Sequence, residues 1–208
     1  MNLTWANRIT VVRILLIAPF VILMLHNHDP QYGAMFRYIA LGLFVVMAVS
    51  DGVDGYLARK YKQATRLGAF LDPMGDKMLM ASALLLLASK RACVQGFDLP
   101  DWVVVLVIGK DLFLLMGFII VYFTTMEVRV VPAYIGKVAT VLQLLLVIGI
   151  LIAPEVSKVM GQWIWVLRFF WWSAAITATV ATLIYIWQGI RYVEQFEQHK
   201  VNGNNKAK

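Results

Sequence analysis

Six stretches of the chain are mostly apolar for about 20 residues each, at about 9–26, 36–56, 69–89, 102–124, 138–154 and 164–190. That is the length a helix needs to cross the hydrocarbon core of a bilayer. Inside lipid no water reaches the backbone, so a spanning segment must close its own N–H and C=O groups, as a helix does within one segment. The expected fold is therefore an all-α integral membrane protein, a six-transmembrane-helix bundle. Residues 2–8 are expected to add a short N-terminal interfacial segment, with Trp5 at headgroup level. Composition agrees: 61% of the 208 residues are hydrophobic and 15% charged, against roughly 25% charged in a soluble domain.

The connections between the stretches are short, so one membrane domain is expected over residues 1–195, followed by a polar, disordered tail over 196–208. Arg8 and Arg13 precede an apolar run in the manner of a signal peptide. No small-residue cleavage site follows and Pro19 interrupts the run, so it is expected to remain as a span. No internal repeat is visible, which argues against the inverted-repeat plan of many transporters. The single cysteine, Cys93, excludes an internal disulfide. His26 and His28 belong to a short polar loop and read as wetted side chains rather than metal ligands.

The formal net charge of +7 is distributed unevenly. Arg8, then Arg59, Lys60, Lys62 and Arg66, then Arg129 and Lys137, then Arg191 all fall on one side of a six-span chain. On the other side the loop from His26 to Arg37 contains Asp29, Lys90 and Arg91 face Asp98 and Asp101, and Glu155 faces Lys158. The positive-inside rule then places both termini and the segment 50–77 in the cytoplasm. No nucleic-acid partner is needed to explain the charge, because anionic lipid meets it.

Four carboxylates stand where such a chain tolerates them least. Asp51 and Asp54 close the second apolar stretch, and Asp72 and Asp76 open the third. An ionised Asp at bilayer depth costs about 2.5–3.5 kcal/mol on insertion scales, and four together repel one another. Their spacings, three and four residues, put each pair on one helix face. One or two divalent cations between the pairs would offset the repulsion, and an all-oxygen set suits Mg²⁺ or Mn²⁺. Gly55 and Gly68 allow close backbone approach and Arg59 offers a planar fork for phosphate, so the set suits a diphosphate substrate. Two other readings stay open at this point. The acids could pair with Lys77, Arg59 or Lys110 and only fix helix packing, or they could form the cation site of a transporter. The transporter reading leaves Arg59 and the two glycines unexplained.

Lys110 and Asp111 lie inside the fourth stretch, where both are costly. Lys110 is far from the nearer end for snorkelling, so it is expected to face a polar cavity. Arg129 and Lys137 approach from the cytoplasmic end and either complete an anion site there or only set topology. The aromatic segment 163–172 reads as a lipid-facing or interfacial belt, with Arg168 unexplained inside it.

The pattern D-x2-D-G-x2-A-R-x8-G-x3-D-x3-D is met at Asp51, Asp54, Gly55, Ala58, Arg59, Gly68, Asp72 and Asp76. On these residues the chain resembles the CDP-alcohol phosphotransferase family, also called CDP-alcohol phosphatidyltransferase class I. The resemblance implies a six-helix membrane bundle, usually homodimeric. It implies a metal-dependent phosphatidyltransferase of phospholipid biosynthesis that passes the phosphatidyl group of CDP-diacylglycerol to an alcohol and releases CMP. By the same resemblance Asp51, Asp54 and Asp72 are metal ligands, and Asp76 is both ligand and general base. Gly55, Ala58, Arg59, Thr65 and Gly68 belong to the CDP-lipid side. Asn7, Thr10 and Arg13 resemble an Asn-x-x-Thr-x-x-Arg segment bordering the nucleotide pocket, with Ala6 where the family usually has proline.

Gly136, Lys137, Thr140 and Gln143 resemble a Gly-Lys-x-x-Thr-x-x-Gln stretch of the branch that makes phosphatidylglycerol and cardiolipin. Acceptor binding is then expected at Lys110, Arg129 and Lys137. Relatives that use glycerol 3-phosphate usually carry two Arg-Glu pairs in the fourth span. Here Lys110-Asp111 stands at the first and Phe118-Ile119 at the second. Gly109-Lys110-Asp111 is closer to the Gly-Arg-Asp of relatives that use phosphatidylglycerol. Glycerol 3-phosphate is the first expectation because it is the commoner acceptor; phosphatidylglycerol and inositol phosphate are the alternatives.

Overall fold

The computed structural model describes the backbone of residues 5–61, 66–125 and 134–206, and the side chains of residues 10–50, 75, 77–117 and 134–191. Over these residues the protein is helical: α1 (Trp5–Leu25), α2 (Gly33–Tyr61), α3 (Arg66–Ala88), α4 (Asp101–Thr125), α5 (Tyr134–Leu151), a short α6 (Ala153–Val159) and α7 (Trp163–Lys206). Among the described residues, Gly33–Ser50, Tyr134–Leu151 and Trp163–Arg191 are long and apolar enough to cross a membrane. Thr10–Leu25 and Lys77–Ala88 are shorter apolar helices.

Three of the boundaries that differ from the sequence expectation have a local reason. Helix α1 already includes Trp5, so residues from there to Arg8 are its first turns rather than a separate interfacial segment. Ala6, where a proline would restrict the preceding residue, lets the helix run through. Helix α5 stops at Leu151 instead of reaching 154, because Pro154 has no N–H to continue its ladder. Pro154 instead occupies the first turn of α6, where that N–H is not required. Helix α7 continues to Lys206, through the polar stretch expected to be disordered. Glu194, Gln195, Glu197, Gln198 and Lys200 are good helix formers and extend the apolar helix ahead of them.

Helix α1 packs on α2 and α3, while α4 and α5 pack on α7; α3 meets α4 and α5, and α2 meets α5. Phe20, Met24, Phe44, Met47, Leu79 and Leu84 fill the first group, and Leu146, Ile150, Leu151 and Leu167 the second. Ala174, Ala175, Ala178 and Ala181 make a small-residue stripe on α7 that allows close helix approach. At Gly149 an added Cβ would lie 3.2 Å from Leu167 Cδ2. The Gly149 carbonyl also accepts a hydrogen bond from Trp163 Nε1 at 3.1 Å.

The outside is the inverse of a water-soluble protein. Leu15, Val46, Leu85, Val105, Phe113, Leu145, Phe169, Ile176 and Leu183 face outward, whereas Thr10, Arg13, Lys110 and Gln143 are buried. Apolar surface on this scale belongs against lipid. Arg168 finds its explanation here: its guanidinium stacks 4.8 Å from the centre of the exposed Trp165 ring, so the aromatic segment carries its charge as a cation–π contact.

The end of the bundle remote from the carboxylate segment is stitched by loop contacts. Asn27 Nδ2 donates to the carbonyls of Ala92 and Cys93 at 2.9 and 3.1 Å. His28 Nε2 lies 2.8 Å from the Cys93 carbonyl. Asp29 accepts the backbone N–H groups of Tyr32 and Gln31, which hold its carboxyl below the usual range. An Arg37–Glu155 ion pair joins α2 to α6. Cys93 is buried in this stitched loop, and burial, with Asp98 beside it, pushes its thiol up to about 11. At pH 8 it is therefore a protonated, poorly nucleophilic thiol. Water-soluble maleimide at pH 8 should label the folded protein at least roughly tenfold more slowly than the denatured chain, as read by mass spectrometry. Equal rates would show that the loop is open.

Candidate active site

Helices α2 and α3 touch, and the segment 62–65 that joins them lies outside the described residues. Asp51, Asp54, Gly55, Ala58 and Arg59 fall in the last turns of α2, and Gly68, Asp72 and Asp76 in the first turns of α3. With a rise of 1.5 Å per residue, Asp54 and Asp72 stand about 10 Å along their helices from the connection, and Asp51 and Asp76 about 15 Å. The backbone thus carries the four carboxylate positions at matched depths on neighbouring helices. The side chains of Asn7, Asp51, Asp54, Ala58, Arg59, Asp72 and Asp76, the surroundings of Gly55 and Gly68, and all of Thr65 and Arg129 lie outside the described residues. Among the described residues no group of three or more His, Cys, Asp or Glu is gathered to hold a metal ion.

Helix α1 reaches this hairpin through Gly75, which is buried between Asp72 and Asp76 on α3. A Cβ built there would lie 3.5 Å from Thr10 Cγ2 and 3.5 Å from Ile14 Cγ1. The fully buried Thr10 therefore packs on the turn that separates the two α3 carboxylates. Arg13, one turn further along α1, is 2% exposed. A guanidinium is kept in a protein interior only with hydrogen-bonding or anionic company.

A second polar region begins at the residue after Asp76. Lys77 Nζ donates to Asp111 Oδ1 at 2.7 Å, and Lys110 Nζ lies 3.2 Å from the same oxygen. The Lys110 side chain is 2% exposed. A cavity of about 150 Å³ opens beside this trio, lined by Lys77, Lys110, Leu114, Gly136, Lys137, Thr140 and Tyr185. Three ammonium groups, those of Lys77, Lys110 and Lys137, line a space the size of a small headgroup. Helices α3, α4, α5 and α7 each contribute to its wall.

The structure thus brings Lys110 and Lys137 to one cavity and adds two residues that sequence reading did not assign to a binding site. Lys77 figured there only as a counter-charge for the carboxylates. Tyr185 carried no signal, since one tyrosine in an aromatic-rich span looks like any other belt residue. Its hydroxyl occupies the space over Gly136, where an added Cβ would lie 2.2 Å away. Thr140 Oγ1 donates to the Gly136 carbonyl at 3.1 Å. Gln143 follows on the same face of α5, fully buried, with neither amide atom hydrogen-bonded among the described residues.

An acidic helical hairpin beside a cationic cavity, both inside a lipid-facing bundle, defines a membrane protein that handles phosphate esters. Residues 3–188 match the family model described as CDP-alcohol phosphatidyltransferase, and the chain belongs to that family. A Bacillus subtilis (strain 168) protein named CDP-diacylglycerol--glycerol-3-phosphate 3-phosphatidyltransferase is 35% identical over 154 residues, which cover 70% of this chain and 75% of that one. A Mycobacterium tuberculosis (strain ATCC 25618 / H37Rv) protein named "Probable phosphatidylglycerophosphate synthase" is 33% identical over 150 residues, 72% of this chain and 66% of that one. A Pseudomonas fluorescens protein with the same name as the Bacillus relative is 44% identical over 85 residues, 41% of each chain.

The Lys77–Asp111–Lys110 trio has a direct stability test. Asp111→Asn keeps the size but removes the carboxylate that Lys77 and Lys110 share. Thermal unfolding in detergent should show a loss on the order of 1–3 kcal/mol. An unchanged melting temperature would mean that solvent, not Asp111, balances the lysines.

Proposed function

We propose that this enzyme transfers the phosphatidyl group of CDP-diacylglycerol to glycerol 3-phosphate with release of CMP, the reaction of a phosphatidylglycerophosphate synthase. The observation that carries this reading is the cavity lined by Lys77, Lys110 and Lys137 next to the Asp76 position. A phosphate monoester brings about −1.5 to −2 charge at pH 7 and suits that cationic lining. Phosphatidylglycerol, a phosphodiester, brings a single negative charge and two acyl chains. The names of the relatives point the same way.

In this reading all six long helices cross the membrane and the enzyme is a homodimer. Both termini and the carboxylate hairpin lie on the cytoplasmic side, in keeping with the basic residues from Arg59 to Arg66 and with Arg129, Lys137 and Arg191. Asp51, Asp54, Asp72 and Asp76 would hold Mg²⁺ or Mn²⁺, since four carboxylates at matched depths on touching helices make the all-oxygen donor set a hard cation prefers. When bound, the ion supplies charge neutralisation to the diphosphate.

The chain's own residues supply the rest. Arg59, Thr65 and the close backbone at Gly55, Ala58 and Gly68 receive the CDP group, with Asn7 and Thr10 of α1 along its border. Lys110 and Lys137, joined by Lys77 and Arg129, hold the acceptor phosphate and so aim its alcohol at the hairpin. Asp76 takes the proton of that hydroxyl. The oxygen forms its bond to the β-phosphorus as the bond from that phosphorus to the bridging oxygen breaks, and the electron pair leaves with CMP. Binding here works mainly by positioning and by field, as in other phosphoryl transfers.

Purified protein in detergent should release CMP from CDP-diacylglycerol when glycerol 3-phosphate is supplied with Mg²⁺ or Mn²⁺. Chelation should stop the release. Turnover with phosphatidylglycerol or inositol phosphate instead would reassign the acceptor. Asp76→Asn should lower kcat by about 10²–10⁴ while CDP-lipid binding persists; normal turnover would remove Asp76 as base. Lys110→Ala should raise the KM for glycerol 3-phosphate by about tenfold with little change for CDP-diacylglycerol. Equal effects on both would make Lys110 a packing residue.

A further inference from the structure

The cavity contains more chemistry than a phosphate requires. An ammonium group only donates hydrogen bonds. Lys77, Lys110 and Lys137 can therefore grip an anion, but none can accept a hydrogen bond from an alcohol. A phosphorylated polyol enters with hydroxyl groups that must donate to something, or be left unmatched at a cost of about 1–3 kcal/mol each. Two lining residues have the needed oxygens, Thr140 on α5 and Tyr185 on α7. The Thr140 proton is committed to the Gly136 carbonyl at 3.1 Å, which leaves its oxygen to accept.

Tyr185 is placed by a specific fit. Its neighbours Leu183, Ile186 and Trp187 face outward, whereas Tyr185 is half-buried and turned to the cavity. Its hydroxyl oxygen would be 2.2 Å from a Cβ at position 136, so only glycine there leaves that seat open. The same two helices already approach through Gly149 and the alanine stripe.

We infer that Tyr185, seated by Gly136 and assisted by Thr140, reads the non-reacting hydroxyl of the phosphorylated acceptor and is a specificity-determining residue. This rests on the reading above that the cavity binds the acceptor phosphate. Gly136 has no contact with the acceptor in this scheme; it is a positioning residue that acts through Tyr185.

The test compares glycerol 3-phosphate with 3-hydroxypropyl phosphate, which keeps the phosphate and a terminal hydroxyl but lacks the central one. Both are measured as acceptors for CMP release by the full-length enzyme in detergent. Tyr185→Phe should lower kcat/KM for glycerol 3-phosphate by about tenfold, the value of one hydrogen bond, and leave that for 3-hydroxypropyl phosphate unchanged. Gly136→Ala should repeat this loss, and the double variant should add little to either single one. Inhibition by inorganic phosphate should stay constant throughout. Equal losses for both acceptors, or none in Tyr185→Phe, would overturn hydroxyl reading while leaving the phosphate cavity intact. Use of neither phosphate by the unaltered enzyme would overturn the acceptor assignment itself, and this inference with it.

Discussion

Lys77 and Lys110 meet on one oxygen of Asp111, at 2.7 and 3.2 Å, inside a bundle whose outward side chains are largely aliphatic and aromatic. Each buried ion carries a desolvation penalty of several kcal/mol that must be repaid by partners. Asp111 offsets part of it for Lys110, which is buried. With Lys137 the cavity wall carries three ammonium groups. Like charges converging on one partly buried space attract anions. The Lys77–Asp111–Lys110 trio joins α3 to α4 and so holds the cavity directly beside the helix that carries Asp72 and Asp76.

Close backbone approach is the second requirement, and glycine and alanine meet it at each important contact. Between helices in lipid the hydrophobic effect gives little, so packing of small residues takes over. Thr10 reaches Gly75, Tyr185 sits over Gly136, and Leu167 lies against Gly149. The first of these brings α1 to the carboxylate hairpin, and the second brings α7 to the cavity. Helices remote in sequence thereby supply single polar groups to shared space without opening the bundle.

Features carried by one segment were legible before any coordinates. The six apolar stretches fall on the six long helices because helical closure of the backbone is a local constraint, and three of those helices are long and apolar enough among the described residues to cross a membrane. The spacing of Asp51, Asp54, Asp72 and Asp76 was equally clear, since two short helical segments and one short connection contain all of it. Helix ends were less legible. Pro154 both stopped α5 and started α6, and polar helix formers carried α7 to Lys206. Arg168 looked unexplained only because its partner is an aromatic ring one turn away, where a charge partner would be sought first.

The amino-acid sequence by itself determined an all-helical membrane chain with an acidic hairpin, because burial of backbone and of carboxylates is costly wherever the chain goes. It also marked Lys110 as a charge needing polar surroundings. That Lys77 and Tyr185 join Lys137 in those surroundings was decided by the tertiary structure alone. Lys77, Lys110, Lys137 and Tyr185 lie on four different helices, and nothing in their spacing joins them. Their meeting depends on how α3, α4, α5 and α7 rotate and approach one another. That is set by side-chain packing across the whole bundle, which no single segment encodes.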